Sequence, residues 1–276
     1  SYKSAELEDF RKQVTRDLGK EITVLNEQAG RHREFLDLTW FYYIRYSRFS
    51  KVDRPVKTLF IYNTDGDVYQ FSVQAMQPEA SSRFLDYKTK TKLRLPFNGE
   101  WYTAAGGRTV NLNHHAVSQD QRFAYDFVIR RDGGTFAGGG NSNDDYFCFG
   151  VEIFAPAAGV IKTIVNDVGE NTPGNMPKNT GNYIIIDHEN GEFSVLAHFK
   201  HKSIVIVPGE RVATGQLLGL CGNSGHSSEA HLHYHLQNGP EMWKGEGLPA
   251  QFENISINGK AVKKGEPVLG LSLIHI

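Results

Sequence analysis

Three histidines stand at every second position of the heptapeptide HLHYHLQ, which begins at His231. Alternate side chains of a β-strand point to opposite faces, so a strand here places His231, His233 and His235 on one face, with successive Cα atoms about 6–7 Å apart. At that spacing one imidazole can bind a metal while its neighbour reaches a water on that metal. The other face carries side chains apolar enough to bury: Leu232, Tyr234 and Leu236. The pattern also suits polar residues on the solvent side of a strand, so the remaining ligands must come from elsewhere in the chain.

Two other segments offer ligands and proton acceptors. The stretch NLNHHAVSQDQRFAYDFVI contains His114 and His115, followed by a carboxylate, Asp126, in an apparent strand. His198 lies in VLAHFK, where strand alternation places it on the face opposite Ala197. A zinc hydrolase site needs three ligands from His, Asp, Glu or Cys and one position left open for water. These segments therefore supply enough donors for such a site.

Each of these residues also has a purely structural interpretation. A single histidine at a strand end is more often hydrogen-bonded at the surface than bound to a metal. We assign five other histidines to that class: His32, His188, His201, His226 and His275.

Other reaction chemistries fit the sequence poorly. The string HENGE ends in Glu where the motif HExxH needs His, and its Asn-Gly pair indicates a hairpin instead of a helix. The string GNSGH has His where the nucleophile elbow GxSxG needs its last glycine. The sequence contains no GxxxxGK[ST] phosphate loop. A serine hydrolase and a nucleotide-dependent enzyme are therefore disfavoured.

The composition is that of a globular protein with a substantial core. Of 276 residues, 39% are hydrophobic and 22% are charged, with 30 basic and 31 acidic side chains. No basic run suggests a nucleic-acid surface, and no stretch approaches the roughly 20 apolar residues of a membrane span. Cys148 and Cys221 fit no CxxC metal pattern, and are expected either to pair in an oxidising compartment or to be two buried thiols.

The first part of the chain, residues 1–90, is predicted to be a separate α+β module. Apolar side chains in steps of three and four predict an amphipathic helix over residues 4–27, at Leu7, Phe10, Val14, Leu18, Ile22 and Leu25. Aromatic and β-branched segments follow, with a hairpin turn expected at Asn63–Gly66. The module loosely resembles the nuclear-transport-factor-like modules. The polar, turn-rich residues 78–92 are interpreted as a linker.

Residues 91–276 change to short strands separated by Gly, Pro and Asn-Gly turns, which is typical of an antiparallel β-sheet or sandwich domain. The polar segment 171–182, NTPGNMPKNTGN, is expected to be a surface loop near a cleft. The predicted fold class is therefore mainly β, with an N-terminal α+β module.

The order of motifs resembles that of the lysostaphin-type zinc metallopeptidases, also called β-lytic or LytM-domain peptidases. The resemblance covers about residues 93–250 and rests on APAAGVI, GNYIIIDHENGEFSVLAH and VPGERVATGQLLGLCGNSGHSSEAHLHYHLQ. It implies an antiparallel β-sheet core with a groove and a zinc-dependent endopeptidase that cuts peptide cross-links in peptidoglycan. It also implies an extracytoplasmic place of action: secreted, periplasmic or cell-wall associated.

Carried over by position, the resemblance makes His233 and Asp126 ligands of one Zn²⁺ per chain. The third ligand departs from the usual pattern, because the family generally has a His four residues before the Asp, and Arg122 stands there. A subset resembles NxH…QRYAxD, and this chain reads NHH followed by QRFAYD. The resemblance therefore assigns the ligand to His115, eleven residues before Asp126, with His114 as the alternative.

The resemblance also makes His198 and His231 catalytic histidines beside the metal. A neutral imidazole there can accept a proton or hydrogen-bond a developing oxyanion. His235 stands where the family often has Glu, so it is expected either to support a ligand or to be exposed.

Two functions fit these residues. One is an active zinc endopeptidase that acts on peptidoglycan peptides. The other is a catalytically inactive peptidase-like domain that binds cell wall or regulates another hydrolase. Inactive relatives usually lose ligands or catalytic histidines, whereas all five positions here hold suitable side chains, which favours the enzyme.

Overall fold

A helix and a four-stranded antiparallel sheet form the N-terminal part of the molecule. The computed structural model describes residues 4–35 and 38–276. Helix α1, Ser4–Leu18, packs on the sheet, with the ring centroids of Phe10 and Phe71 4.4 Å apart. The strands pair in sequence order: β1 (Glu21–Phe35), β2 (Leu38–Phe49), β3 (Val52–Asn63) and β4 (Val68–Ala75). The predicted α+β architecture and the hairpin between β3 and β4 are confirmed.

The helix is shorter than the sequence pattern predicts. Gly19 ends it with a left-handed φ of 84°, and the Gly19 N–H donates to the carbonyl of Thr15 at 3.0 Å. The predicted helix over residues 4–27 is therefore wrong beyond Leu18. Ile22 and Leu25 continue the helical spacing, but their segment pairs with β2, and hydrogen bonding to the neighbouring strand overrides the local pattern.

Short antiparallel strands build the rest of the molecule. They are β5 (Glu100–Ala105), β6 (Tyr125–Val128), β7 (Glu152–Phe154), β8 (Gly159–Val165), β9 (Tyr183–Asp187), β10 (Phe193–Ala197), β11 (Arg211–Val212), β12 (Leu217–Leu220), β13 (Leu232–Gln237), β14 (Gly247–Leu248), β15 (Phe252–Ile257), β16 (Lys260–Gly265) and β17 (Ser272–His275). The large sheet has the order β11-β8-β9-β10-β13-β6-β5-β17-β15-β16, with β14 beside β13, and β7 pairs with β12. The mainly β fold class is confirmed.

The core lies on one face of the central strands. Leu196 of β10, Tyr234 of β13 and Phe127 of β6 are fully buried there. The small sheet contributes Ile153 and Leu218 to the same core. Burying one such side chain stabilises the fold by about 1.5–3 kcal/mol, so this face holds the strands in register. The predicted apolar face of the HLHYHLQ strand is confirmed.

The polar segment 78–92 lies against the β domain formed by residues 91–276 and has little regular structure. The fully buried carboxylate of Glu192 accepts hydrogen bonds from the Tyr87 hydroxyl at 2.9 Å and from the N–H groups of Lys90 and Thr91 at 2.7 and 2.8 Å. The end of the predicted linker is therefore bound to the β domain.

Two further features concern the chain as a whole. Cys148 and Cys221 are buried free thiols.

Within the residues described, no helix is both long enough and apolar enough to cross a membrane.

Candidate metal centre and active-site cleft

Strand pairing brings the central carboxylate and imidazole together. Asp126 of β6 stands directly opposite His233 of β13, and Ala197 at the end of β10 stands opposite His233 on the other side. Because directly opposed residues share a face of the sheet, Asp126 and His233 point to the side away from the core. The Asp126 Oδ1 atom lies 3.0 Å from His233 Nδ1.

A short 3₁₀ helix, His114–Val117, delivers the next histidine. The side chain of Asn113 caps this helix by accepting from the N–H of His115 at 3.1 Å. The same amide donates to the carbonyls of Gly107 and Ala124 at 3.0 and 3.1 Å, which ties the helix to the start of β6. As a result His115 Nε2 lies 2.9 Å from Asp126 Oδ2.

Arg122, which stands where the family generally has a ligand, has a structural role. Its guanidinium is buried and donates to the carbonyls of Ala80 at 2.9 Å and Arg108 at 2.7 Å. Arg122 therefore links the 78–92 segment to the domain, and the histidine that contacts Asp126 from this part of the chain is His115 of the 3₁₀ helix.

Four imidazoles surround the Asp126 carboxylate. Besides His115 and His233, His114 Nε2 lies 3.7 Å from Oδ2 and His231 Nε2 lies 3.6 Å from Oδ1. His114, His115 and Asp126 alone place one donor each within 4.8 Å of one another. The His114 side chain is 62% exposed, whereas that of His233 is 5% exposed. Among the described residues His114, His115 and Asp126 form one compact set of donors, and His233 adds a separate contact with the same carboxylate.

The protonation states favour ligation by neutral imidazole. Burial raises the pKa of Asp126, but the nearby rings of His115, His231 and His233 outweigh burial and hold the pKa well below its usual range. Burial lowers the pKa of His233 to about 3, although Asp126 favours its protonated form. Burial, together with His231 and His233, also holds the pKa of His198 well below its ordinary value. The centre is an ionised Asp126 carboxylate beside His233 and His198, whose low pKa values keep these two rings uncharged.

His198 reaches the cleft through an unusual backbone conformation. It follows the last residue of β10 and has a left-handed φ of 68°. Its ring lies 4.6 Å from that of His231 and 5.8 Å from that of His233, on the same side as Ala197. The predicted placement of His198 opposite Ala197 is therefore wrong, because the positive φ breaks the alternation of the strand. Such strained residues cost about 1–3 kcal/mol and cluster at functional sites.

His198 and His231 are held in the same tautomer. His198 Nδ1 lies 2.7 Å from the carbonyl of Ser224, and His231 Nδ1 lies 2.9 Å from the carbonyl of Glu229. A carbonyl only accepts, so each Nδ1 carries the hydrogen and each neutral ring keeps an unprotonated Nε2. Both rings can therefore accept a proton.

The sequence left two expectations for His235, an exposed position or a supporting role beside a ligand. The exposed position is wrong. His235 is buried, and its ring contacts His233 Nε2 at 3.0 Å and Gln237 Oε1 at 3.2 Å. Its contact with His233, a candidate ligand, agrees with the expected supporting role.

The histidines lie at the bottom of a cleft of about 370 Å³. We call the side chains at its base the cleft floor: His115, Asp126, His198, His231 and His233. We call the more exposed side chains around them the cleft rim: Met176, His226, Met242 and Trp243. Met176 belongs to the 171–182 segment, whose predicted position near a cleft is confirmed.

Three rim residues are not identified by the sequence patterns. His226 falls among the histidines assigned to surface hydrogen bonding, and Met242 and Trp243 follow the histidine strand in a polar loop without a recognisable motif. Trp243, 60% exposed with a φ of 66°, is an unusual residue for a loop. The one sequence signal is an isolated tryptophan close to HLHYHLQ.

Comparison with known proteins finds a family match over the segment that carries three of the four floor histidines. Residues 145–245 match the profile of Peptidase family M23. This range includes His198, His231 and His233, while His115 and Asp126 precede it. Peptidoglycan DD-endopeptidase ShyA of Vibrio cholerae is 34% identical over 85 residues, which are 30% of this chain and 18% of ShyA. The chain thus aligns with less than a fifth of that relative.

Solved structures also resemble the molecule. The catalytic domain of a mutant of the prophage-encoded M23 protein EnpA from Enterococcus faecalis is 18% identical, with a TM-score of 0.36 over 56% of this chain and 93% of that one. The catalytic domain of lysostaphin from Staphylococcus simulans is 17% identical, with a TM-score of 0.32 over 54% and 88%. Such distant likeness carries no argument about activity. The sequence match shows that residues 145–245 of the chain resemble Peptidase family M23.

Proposed function

We propose that the chain is a zinc-dependent endopeptidase that hydrolyses peptide cross-links of bacterial peptidoglycan. The observation that carries the proposal is one cleft floor in an M23 domain, where an ionised carboxylate contacts His115 and His233 and two more imidazoles present unprotonated Nε2 atoms. Each part of hydrolysis has a residue suited to it.

The zinc ligands are proposed to be His115, Asp126 and His233, with one ion per chain. Asp126 is a buried, ionised carboxylate, and buried charges are paired or bind metals. Imidazole nitrogen and carboxylate oxygen are ligands that zinc prefers. His233 is favoured over His114 because it is buried and lies closer to the carboxylate, at 3.0 instead of 3.7 Å. Zinc held there would supply a Lewis acid able to polarise the peptide carbonyl and to lower the pKa of the attacking water.

His198 and His231 are proposed to move protons in the reaction. In peptide hydrolysis the water oxygen bonds to the carbonyl carbon, the C–N bond breaks, and the leaving nitrogen gains a proton. The Nε2 atoms of His198 and His231 are available to accept the proton from water and to return one to the amine. The carbonyls of Ser224 and Glu229 hold the rings in this orientation.

The substrate proposal draws on the relative and on the cleft. ShyA is a peptidoglycan DD-endopeptidase by its name, and the aligned segment is 34% identical. A cleft of about 370 Å³ with exposed Trp243 and Met176 at its rim is open enough for a peptide strand. A substrate in the cell wall places the proposed activity outside the cytoplasm.

An inactive peptidase-like domain that binds cell wall is the second candidate. The retained floor residues favour the enzyme, because a binding domain has no need of two proton acceptors beside a carboxylate.

The test is digestion of purified peptidoglycan with the zinc-loaded chain, followed by mass spectrometry of the new peptide termini. We expect cleaved cross-links from the wild type and none from His233→Ala. Zinc-loaded protein that sediments with peptidoglycan but releases no new termini would establish the binding domain and overturn the enzyme.

A further inference from the structure

A line of polar side chains runs along β13 away from the cleft. From Asp126 Oδ1 the contacts lead to His233 Nδ1 at 3.0 Å, from His233 Nε2 to His235 Nδ1 at 3.0 Å, and from His235 Nε2 to Gln237 Oε1 at 3.2 Å. His235 and Gln237 are almost completely buried, at 1% and 0% exposure. Water therefore cannot replace a missing partner within this line.

The far end of the line determines its direction. The amide nitrogen of Gln237 donates to the carbonyls of Gly239 at 2.8 Å and Glu241 at 3.1 Å. Carbonyls cannot donate, so the Gln237 amide cannot be turned over without losing both bonds. Its Oε1 atom is consequently an acceptor that faces His235 Nε2.

The hydrogen positions follow from that acceptor. A neutral imidazole carries one N–H, and in His235 it must lie on Nε2 to reach Gln237. The Nδ1 atom of His235 is then an acceptor, so His233 must donate from its own Nε2. This leaves His233 Nδ1 with a lone pair.

One contact in the line then lacks a hydrogen. Two neutral rings supply two hydrogens for three contacts, and the His233 Nδ1 lone pair faces the Asp126 carboxylate oxygen at 3.0 Å. Two acceptors at this distance repel unless a cation lies between or beside them. This contact borders the cleft, whereas the other two are sealed in the interior.

We propose that His235 and Gln237 are positioning residues that hold the His233 ring with hydrogen on Nε2 and its Nδ1 lone pair directed to a divalent cation at Asp126. The proposal rests on the zinc site of the proposed function and assigns roles to two side chains outside that site. Partners that orient a metal-binding imidazole commonly change metal affinity by about 10–100-fold.

The test compares two variants of nearly equal shape, His235→Leu and His235→Asn. Leucine removes the acceptor, and we expect the Zn²⁺ dissociation constant, measured by chelator competition, to rise by about 10–100-fold. Asparagine places its Oδ1 where Nδ1 was, so we expect a value within about threefold of the wild type. Equal affinity of both variants and the wild type would overturn the proposal.

A second measurement needs no variant and so does not depend on whether His235→Leu folds. In ¹⁵N-labelled, zinc-loaded wild type, NMR should show the His233 hydrogen on Nε2 and the metal on Nδ1. Hydrogen on Nδ1 would overturn the assignment.

The outcomes separate this proposal from the proposed function. Zinc binding that weakens in His235→Leu, together with failure to cleave peptidoglycan, overturns the endopeptidase and supports the positioning roles. If the wild type cleaves peptidoglycan and His235→Leu binds Zn²⁺ as tightly as the wild type, the endopeptidase is supported and the positioning roles are overturned. A wild type that binds neither Zn²⁺ nor Co²⁺ overturns the positioning roles and the zinc site, and any cleavage that persists is then independent of both.

Discussion

The cleft floor and the cleft rim differ in how their side chains are held. Four of the five floor residues lie on paired strands or next to them, and a capped 3₁₀ helix holds His115. His198, His231 and His233 each have a fixed hydrogen-bond partner on a ring nitrogen: the Ser224 carbonyl, the Glu229 carbonyl and the His235 ring. Rim residues lie in loops, and Trp243 and Met176 are 60% and 46% exposed. Under the proposed function we therefore expect the floor to determine the chemistry and the rim to determine how the substrate binds.

The largest loss of zinc and activity is expected when a proposed ligand of the cleft floor is removed. We expect His233→Ala and His115→Ala to lose both zinc and activity, because two remaining donors do not make a three-ligand site. Elemental analysis should give about one zinc per wild-type chain. His114→Ala is the matched control and should keep its zinc. Retention of zinc by His115→Ala with loss in His114→Ala would move the ligand by one residue.

The next largest effect is expected at the other floor histidines. His198→Ala and His231→Ala should keep their zinc and lower turnover by about 10²–10⁴-fold, the usual range for a positioned acid–base group. Zinc content and cleavage rate are measured on the same preparations. Zinc lost from His231→Ala but kept in His233→Ala would mean that the two roles are exchanged.

A rim substitution should affect substrate binding alone. Trp243→Ala removes an aromatic contact surface, and an aromatic contact contributes about 0.5–1.5 kcal/mol, so KM should rise by about 2- to 10-fold. The kcat value and the zinc content should not change. If kcat falls a hundredfold while KM is constant, Trp243 acts with the floor and the division is incorrect.

The proposed module boundary is tested by shortening the chain. Residues 92–276 contain every floor residue, so we expect them to fold and to keep zinc. The free energy of unfolding of residues 78–276 should exceed that of residues 92–276 by about 1–3 kcal/mol. The longer chain keeps the hydrogen bonds from Tyr87, Lys90 and Thr91 to buried Glu192. Denaturant unfolding of both chains measures this difference. An insoluble or metal-free 92–276 chain would place the boundary elsewhere.

The smallest effect is a dependence of stability on pH through Glu192. Burial raises its pKa, but the hydrogen bonds from Thr91, Lys90 and Tyr87 outweigh burial and the pKa is lowered. The contribution of the ionised Glu192 carboxylate to the free energy of unfolding is therefore complete above the ordinary glutamate pKa of about 4.3. This contribution is lost as the pH falls through the lower pKa of Glu192 in the folded protein. Residues 78–276 should lose part of their advantage over residues 92–276 between about pH 5 and 3. A constant difference over this range would contradict the role of Glu192.

Much of the cleft floor can be predicted from the amino-acid sequence alone. Strand alternation in HLHYHLQ separates the histidines from Leu232, Tyr234 and Leu236, and a short-range pattern suffices because side-chain direction in a strand has a period of two. The motif order resembles that of the lysostaphin-type peptidases, and this resemblance predicts Asp126 as the carboxylate of the centre. The mainly β fold follows from strand-length runs between glycine turns.

Other features depend on segments that lie far apart in the chain and meet only in the folded molecule. Pairing with β2 replaces the helix beyond Leu18, against a pattern that continues to Leu25. The left-handed φ of His198 turns its ring into the cleft, which no alternation rule predicts. The direction of the hydrogen bonds through His235 depends on the carbonyls that anchor Gln237. Local periodicity predicts where a side chain points, whereas its partners, its tautomer and its backbone strain depend on which other segments pack against it.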